Sequence, residues 1–122
     1  MSGEARTIAG VAAYVCHGDG PKLDGERAAV DVIGDALGCG AGLVVIPVDR
    51  LGPGFLTLST RVAGEAIQRF VNYGLRVAFV GDIGGAVAAS DALRDFVRES
   101  NRGRHVWFVA DIAEVVARLG RT

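Results

Sequence analysis

The chain has 122 residues, half of them hydrophobic, with 13 basic and 14 acidic side chains and a formal net charge of −1. That length suits a single domain, read here as residues 1–122, able to bury one sizeable core. The charge balance supplies no basic face for nucleic acid or for an anionic membrane, and no apolar run is long enough to span a bilayer.

No charged-then-apolar leader opens the chain, so a cytoplasmic protein is expected. The two cysteines, Cys16 and Cys39, form no Cys-x-x-Cys pair, and no His or Cys cluster has metal-ligand spacing. They read as reduced, mostly buried thiols, and neither a metal nor a cofactor is expected.

In chain order, Ile8 to Cys16 reads as the first strand, and His17-Gly-Asp-Gly-Pro as a turn. Asp24 is placed to cap a helix that begins near Gly25. Its apolar face is Ala29, Val32, Ile33, Ala36 and Leu37, and Gly38 and Gly40 end it. Leu43-Val-Val-Ile-Pro-Val is a continuous apolar run, the pattern of a strand buried on both faces.

After a Gly-Pro-Gly loop, a helix is predicted from about Thr60 to Tyr73. Ala63, Ala66, Ile67, Phe70 and Tyr73 form its apolar side, while Arg61, Glu65, Gln68 and Asn72 line one polar stripe. Arg76-Val-Ala-Phe-Val-Gly is the next buried strand, with Asp82 at its carboxyl end. Ser90 then caps a helix carrying Leu93, Phe96 and Val97, and Asn101-Arg-Gly-Arg is the turn out of it. His105 to Ala110 reads as a strand on which His105 packs. Asp111 and Glu114 make a capping-box pattern before the last helix. Strands alternating with helices imply an α/β fold whose mostly parallel sheet, of about four to five strands, has helices packed on it. The pairing of the first strand is open.

Four stretches carry a resemblance. They are Val45-Ile-Pro-Val-Asp-Arg-Leu, Ala63-Gly-Glu-Ala-Ile-Gln-Arg-Phe-Val-Asn-Tyr, Val80-Gly-Asp-Ile, and the run from Ser90 to Arg104 that ends Glu-Ser-Asn-Arg-Gly-Arg. Together they resemble the bacterial domain-of-unknown-function family numbered 4180, over nearly the whole chain from Gly10 onward. The chain departs from that family at Gly54, Phe55 and Leu56, where an acidic residue and two aromatics are usual. It departs again at Ser59-Thr60-Arg61-Val62, where the family tends to read basic-Thr-Gly-Leu. At one remove the element order resembles STAS domains of the anti-sigma-factor-antagonist type. That resemblance implies a phosphorylated hydroxyl at the start of the long helix, which falls on Ser59 or Thr60.

Each candidate residue also has a plainer reading. Ser59 or Thr60 can simply cap the helix. The stripe Arg61, Glu65, Gln68, Asn72 can be a solvated face, with Arg61–Glu65 and Glu65–Arg69 as pairs one turn apart. Asp82 stands where open α/β sheets bind ligands, yet suits a local turn equally. Asn101, Arg102 and Arg104 read as turn residues, with Arg102 and Arg104 as an anion-binding arginine pair on the sharper reading.

Two function classes follow. The first is a regulatory or small-ligand-binding module, acting on a protein partner or small molecule or as a homodimer, through Thr60, Arg61, Glu65, Gln68, Asn72, Asn101 and Arg104. The second is a small cofactor-independent enzyme. Its pocket would lie between the Thr60–Tyr73 helix and the Asp82 and Asn101 loops, with Glu65 or Asp82 as acid/base.

Overall fold

The computed structural model describes residues 2–120. The strand expected over Ile8 to Cys16 begins only at Val11 and is the second arm of a hairpin, whose first arm lies, but for Ile8, before the expected stretch. β1 (Gly3–Ile8) and β2 (Val11–Cys16) pair antiparallel, from Gly3 opposite Cys16 to Ile8 opposite Val11. Ala9 and Gly10 form the two-residue turn, with φ of 50° and 80°. Positive φ at both central residues is the conformation whose twist matches the flanking strands. β1 escapes sequence detection because Glu4, Ala5, Arg6 and Thr7 are all exposed, so the strand shows no buried alternation.

The rest alternates: α1 (Glu26–Gly38), β3 (Leu43–Pro47), α2 (Val62–Asn72), β4 (Arg76–Val80), α3 (Gly84–Ala89), α4 (Asp91–Arg102), β5 (Val106–Val109), α5 (Ile112–Leu119). The sheet runs in chain order, β1-β2-β3-β4-β5, with β2 to β5 parallel. It has two buried faces, as the continuous apolar runs require. On one face Tyr14, Cys16, Val44, Ile46, Val77, Phe79, Val106 and Phe108 meet residues of α1, α2 and α4. On the other, Ala13, Leu43, Val45, Ala78, Trp107 and Val109 meet Val115 and Leu119 of α5. Among the described residues, no helix is long and apolar enough to cross a membrane.

Several local expectations are corrected. Asp24 does not cap α1. Extended Gly25 takes that place without a side-chain bond, and its carbonyl accepts from Ala29 N–H. Leu37 and Tyr73 are exposed at 46% and 54%, since each lies at the end of its helix beyond the sheet-facing stripe. His105 precedes β5 and is exposed, so it contributes its carbonyl to Val77 N–H (2.8 Å) rather than a packed ring. The glycine-rich stretch after Asp82 continues into α3. Ser90 and Asp111 cap α4 and α5, accepting from Leu93 N–H (3.1 Å) and Glu114 N–H (2.9 Å).

Candidate functional site

The segment between β3 and α2 is held by its own backbone. Phe55 is fully buried against Phe79, ring centroids 5.2 Å apart. The Thr60 hydroxyl reaches the carbonyls of Gly54 (2.7 Å) and Thr57 (2.8 Å), and its oxygen accepts from Val62 N–H (3.3 Å). Leu58–Thr60 is a single 3-10 turn, and Arg61, at φ 65° and ψ 4°, joins it to α2. Neither Ser59 nor Thr60 therefore caps α2 in the ordinary way. Arg61 stands at the cap position, with no side-chain bond to the helix.

A left-handed conformation costs a non-glycine residue on the order of 1 kcal/mol. Arg61 borders an open groove of about 480 Å³, lined by Leu58, Arg61, Gly64, Glu65 and Phe96. Gly64 keeps it open, since a Cβ there would meet no heavy atom within 4 Å. The Phe96 ring lies edge-on to Phe108 at 6.0 Å, Phe108 stacks on Phe79 at 4.9 Å, and Phe79 meets Phe55. One wall of the groove thus continues into a row of packed aromatics, which gives it a rigid base.

The polar stripe starts at the groove, with Arg61 and Glu65 in its lining, and runs on past it to Gln68 and Asn72. Arg61, Glu65, Gln68 and Asn72 are all exposed, and Gln68 Nε2 donates to Asn72 Oδ1 at 2.8 Å. Neither expected pair forms: Arg69 reaches Glu26 of α1 instead of Glu65, and Arg61 stands outside α2 in a left-handed conformation.

Asp82 is elsewhere. Its Oδ1 accepts from Gly84 N–H at 2.8 Å, a local Asx turn. It sits in a separate apolar depression of about 360 Å³ with Val87, Val97 and Phe108. A third depression, about 450 Å³, lies across α3 and is lined by Leu51, Pro53, Leu56, Thr57, Ala86 and Ser90.

Asn101 lines none of these. It is in the last turn of α4, not in a loop, and its amide holds the backbone of Phe108. Arg104 is exposed beyond the helix end. The composite pocket expected between the Thr60–Tyr73 helix and the Asp82 and Asn101 loops is therefore not formed: its proposed members face three different places.

Sequence reasoning missed Arg50, which is only 3% exposed. Its guanidinium donates to the carbonyls of Pro21, Ser2 (3.0 Å) and His17 (2.8 Å) and to Ser2 Oγ (3.3 Å). It ties the start of the chain and the β2–α1 loop to the end of β3. The only signal was its position just after a buried strand, inside a family-like stretch. Nearby, Tyr14 donates to Asp35 Oδ2 at 3.1 Å. Burial, helped by that acceptor, pushes the phenol up to about 12. Burial pushes the Cys16 thiol up to about 11, against the opposing field of Arg50, so it stays protonated and unreactive. Among the described residues, no three His, Cys, Asp or Glu side chains could share a metal ion.

A family model described as "Domain of unknown function (DUF4180)" matches residues 8–119. No curated protein and no solved structure matches the chain.

Proposed function

The chain belongs to the DUF4180 family, a domain of unknown function, and from its geometry we propose a non-catalytic, STAS-like binding module that works in the cytoplasm as a regulator. Its ligand, a protein segment or small molecule, docks in the groove between α2 and α4. The observation that carries this reading is Arg61: an exposed cation kept in a left-handed conformation at the rim of an open groove with an aromatic wall. Strain of this kind persists where the surroundings impose it, and it gathers at binding sites. Arg61 and Glu65 supply charge of both signs at the rim, and Leu58 and Phe96 supply apolar contact.

The separation of Glu65 from Asp82, both exposed, supports binding over the small cofactor-independent enzyme. An acid and a base must both reach one reacting group, and these two line different depressions. The unpaired cysteines Cys16 and Cys39 accord with a reducing compartment. Within this reading the regulatory hydroxyl is Ser59 rather than Thr60. Ser59 is exposed, whereas the Thr60 hydroxyl is engaged by two carbonyls that a phosphate would have to displace.

Filling the groove tests the proposal. Gly64→Leu adds a side chain into open space on a helix, so the fold is retained. Native mass spectrometry of protein isolated from its own host should show a species held by the parent chain and lost from Gly64→Leu. A parent chain that retains nothing, or a species retained equally by both, overturns the reading.

A further inference from the structure

The two edges of the sheet are treated differently. At the β5 edge, Asn101 binds both the N–H and the C=O of Phe108, and Glu114 Oε1 accepts from Ala110 N–H at 3.2 Å. Val77 N–H and Gly81 N–H bond the carbonyls of His105 and Val109, so the outward groups of β5 are those of Phe108 and its alternate neighbours. Side chains stand there in place of another strand, and the edge is closed.

Glu4, Ala5, Arg6 and Thr7 of β1 are exposed and Gly3 is buried, so this edge is open from residue 4 to residue 7. His17 N–H bonds Ser2 O at 2.7 Å, which turns residue 2 toward β2, and Gly42 N–H bonds Ala12 O, which turns Ala12 toward β3. Both set the same phase. Gly3, Ala5 and Thr7 therefore point their backbone groups outward, while Glu4 and Arg6 point theirs to β2. The side chains alternate the other way. Ile8 belongs to the α5-side core, so Glu4 and Arg6 project on that face, and Gly3, Ala5 and Thr7 on the opposite one.

We infer that β1 is the dimerisation edge: two copies pair β1 to β1 antiparallel, about a two-fold axis through Ala5, into one continuous sheet. The sequence of the strand selects this register. With Ala5 opposite Ala5 of the second copy, the outward groups of the two Ala5 residues bond each other, and Thr7 comes opposite Gly3, whose burial in the single chain limits pairing to the middle of the strand. Glu4 then stands opposite Arg6 of the second copy, and Arg6 opposite its Glu4, as non-hydrogen-bonded pairs whose side chains are closest. Moving the axis to residue 4 sets Glu4 against Glu4, and moving it to residue 6 sets Arg6 against Arg6, both opposed. Small residues on the other face, Gly3, Ala5 and Thr7, leave the strands free to approach. The homodimer, one of the alternatives read from the sequence, is thus given a proposed surface, register and charge pattern, independent of the α2–α4 groove.

A pairing of two six-residue strands is small beside the ~1,600 Å² of a standard interface, so a dissociation constant of roughly micromolar or weaker is expected. Sedimentation equilibrium of the full chain from about 5 μM to 1 mM covers that range. Ala5→Pro removes the central outward N–H and no bond of the β1–β2 ladder, as an edge strand tolerates. It should weaken dimerisation by about tenfold or more with an unchanged thermal midpoint. Glu4→Arg or Arg6→Glu alone should weaken it several-fold, and the Glu4→Arg/Arg6→Glu double variant should return to within about threefold of the parent. A parent chain that stays monomeric to 1 mM, or a dimer unmoved by Ala5→Pro and by both single reversals, overturns the edge. A double variant no tighter than the singles overturns the register, whether or not Ala5→Pro folds.

Discussion

The amide of Asn101 completes the outer edge of β5 by taking both backbone groups of Phe108: Nδ2 donates to the carbonyl at 3.1 Å, and Oδ1 accepts from the N–H at 2.7 Å. Around it, Arg118 Nη1 donates to Asn101 O (2.9 Å), and the Trp107 indole N–H donates to Gly103 O (2.9 Å). The specific Glu-Ser-Asn-Arg-Gly stretch thus joins the end of α4 to β5 and α5. The rim of the sheet depends on a side chain acting as a strand.

Asn101→Ala should therefore destabilise the chain by about 1–3 kcal/mol, since two half-buried backbone groups lose their partner. Asn101→Asp keeps the acceptor for Phe108 N–H and loses the donor to its carbonyl, so it should fall between parent and Ala. Urea denaturation of the three proteins measures this. A change below ~0.5 kcal/mol for Ala would remove the edge-closing role.

Arg61→Gly should raise stability by about 1 kcal/mol, because glycine takes φ 65° without a Cβ penalty. The variant should also weaken whatever the groove retains. A destabilised Arg61→Gly would mean that the arginine side chain, not the strain, dominates the energetics of the turn.

Arg50 offers a sharper contrast. Arg50→Met leaves the carbonyls of Ser2, His17 and Pro21 without their donor and should cost about 3 kcal/mol or more. Arg50→Lys should recover only part of that, since an ammonium cannot reproduce the guanidinium fork. Equal stability of Lys and Arg in thermal or chemical denaturation would show that charge alone suffices.

Alkaline pH should loosen the fold. The Cys16 thiol titrates at about 11 when folded against an ordinary 9.0, and the Tyr14 phenol at about 12 against 10.0. Both hold their protons more tightly in the native state. Above pH about 9 the unfolded chain binds fewer protons, and stability falls as pH rises toward 12. Urea midpoints from pH 7 to 11 should decline from about pH 9, and Cys16→Ala should flatten the early part of that decline. A parent curve that stays level across the range contradicts the shifts.

The sequence by itself determined the α/β class, the parallel core strands and most of the buried helix positions. Runs such as Leu43-Val-Val-Ile and spacings such as Ala29, Val32, Ile33, Ala36 encode burial in a period that a strand or helix must obey. Ser90 and the Asp111–Glu114 pattern were legible for the same reason, being contacts between near neighbours in the chain. Tertiary structure alone decided the rest. β1 was hidden because an exposed edge strand needs no apolar alternation and is defined by its partner. Asn101 read as a turn residue and Arg50 went unremarked, since what engages them is backbone from Ser2 to Pro21 and at Phe108. The groove was partly legible, for Arg61 and Glu65 were marked as candidates. Its aromatic wall was not, because Phe96 reaches it from another helix, across a distance that no local pattern records.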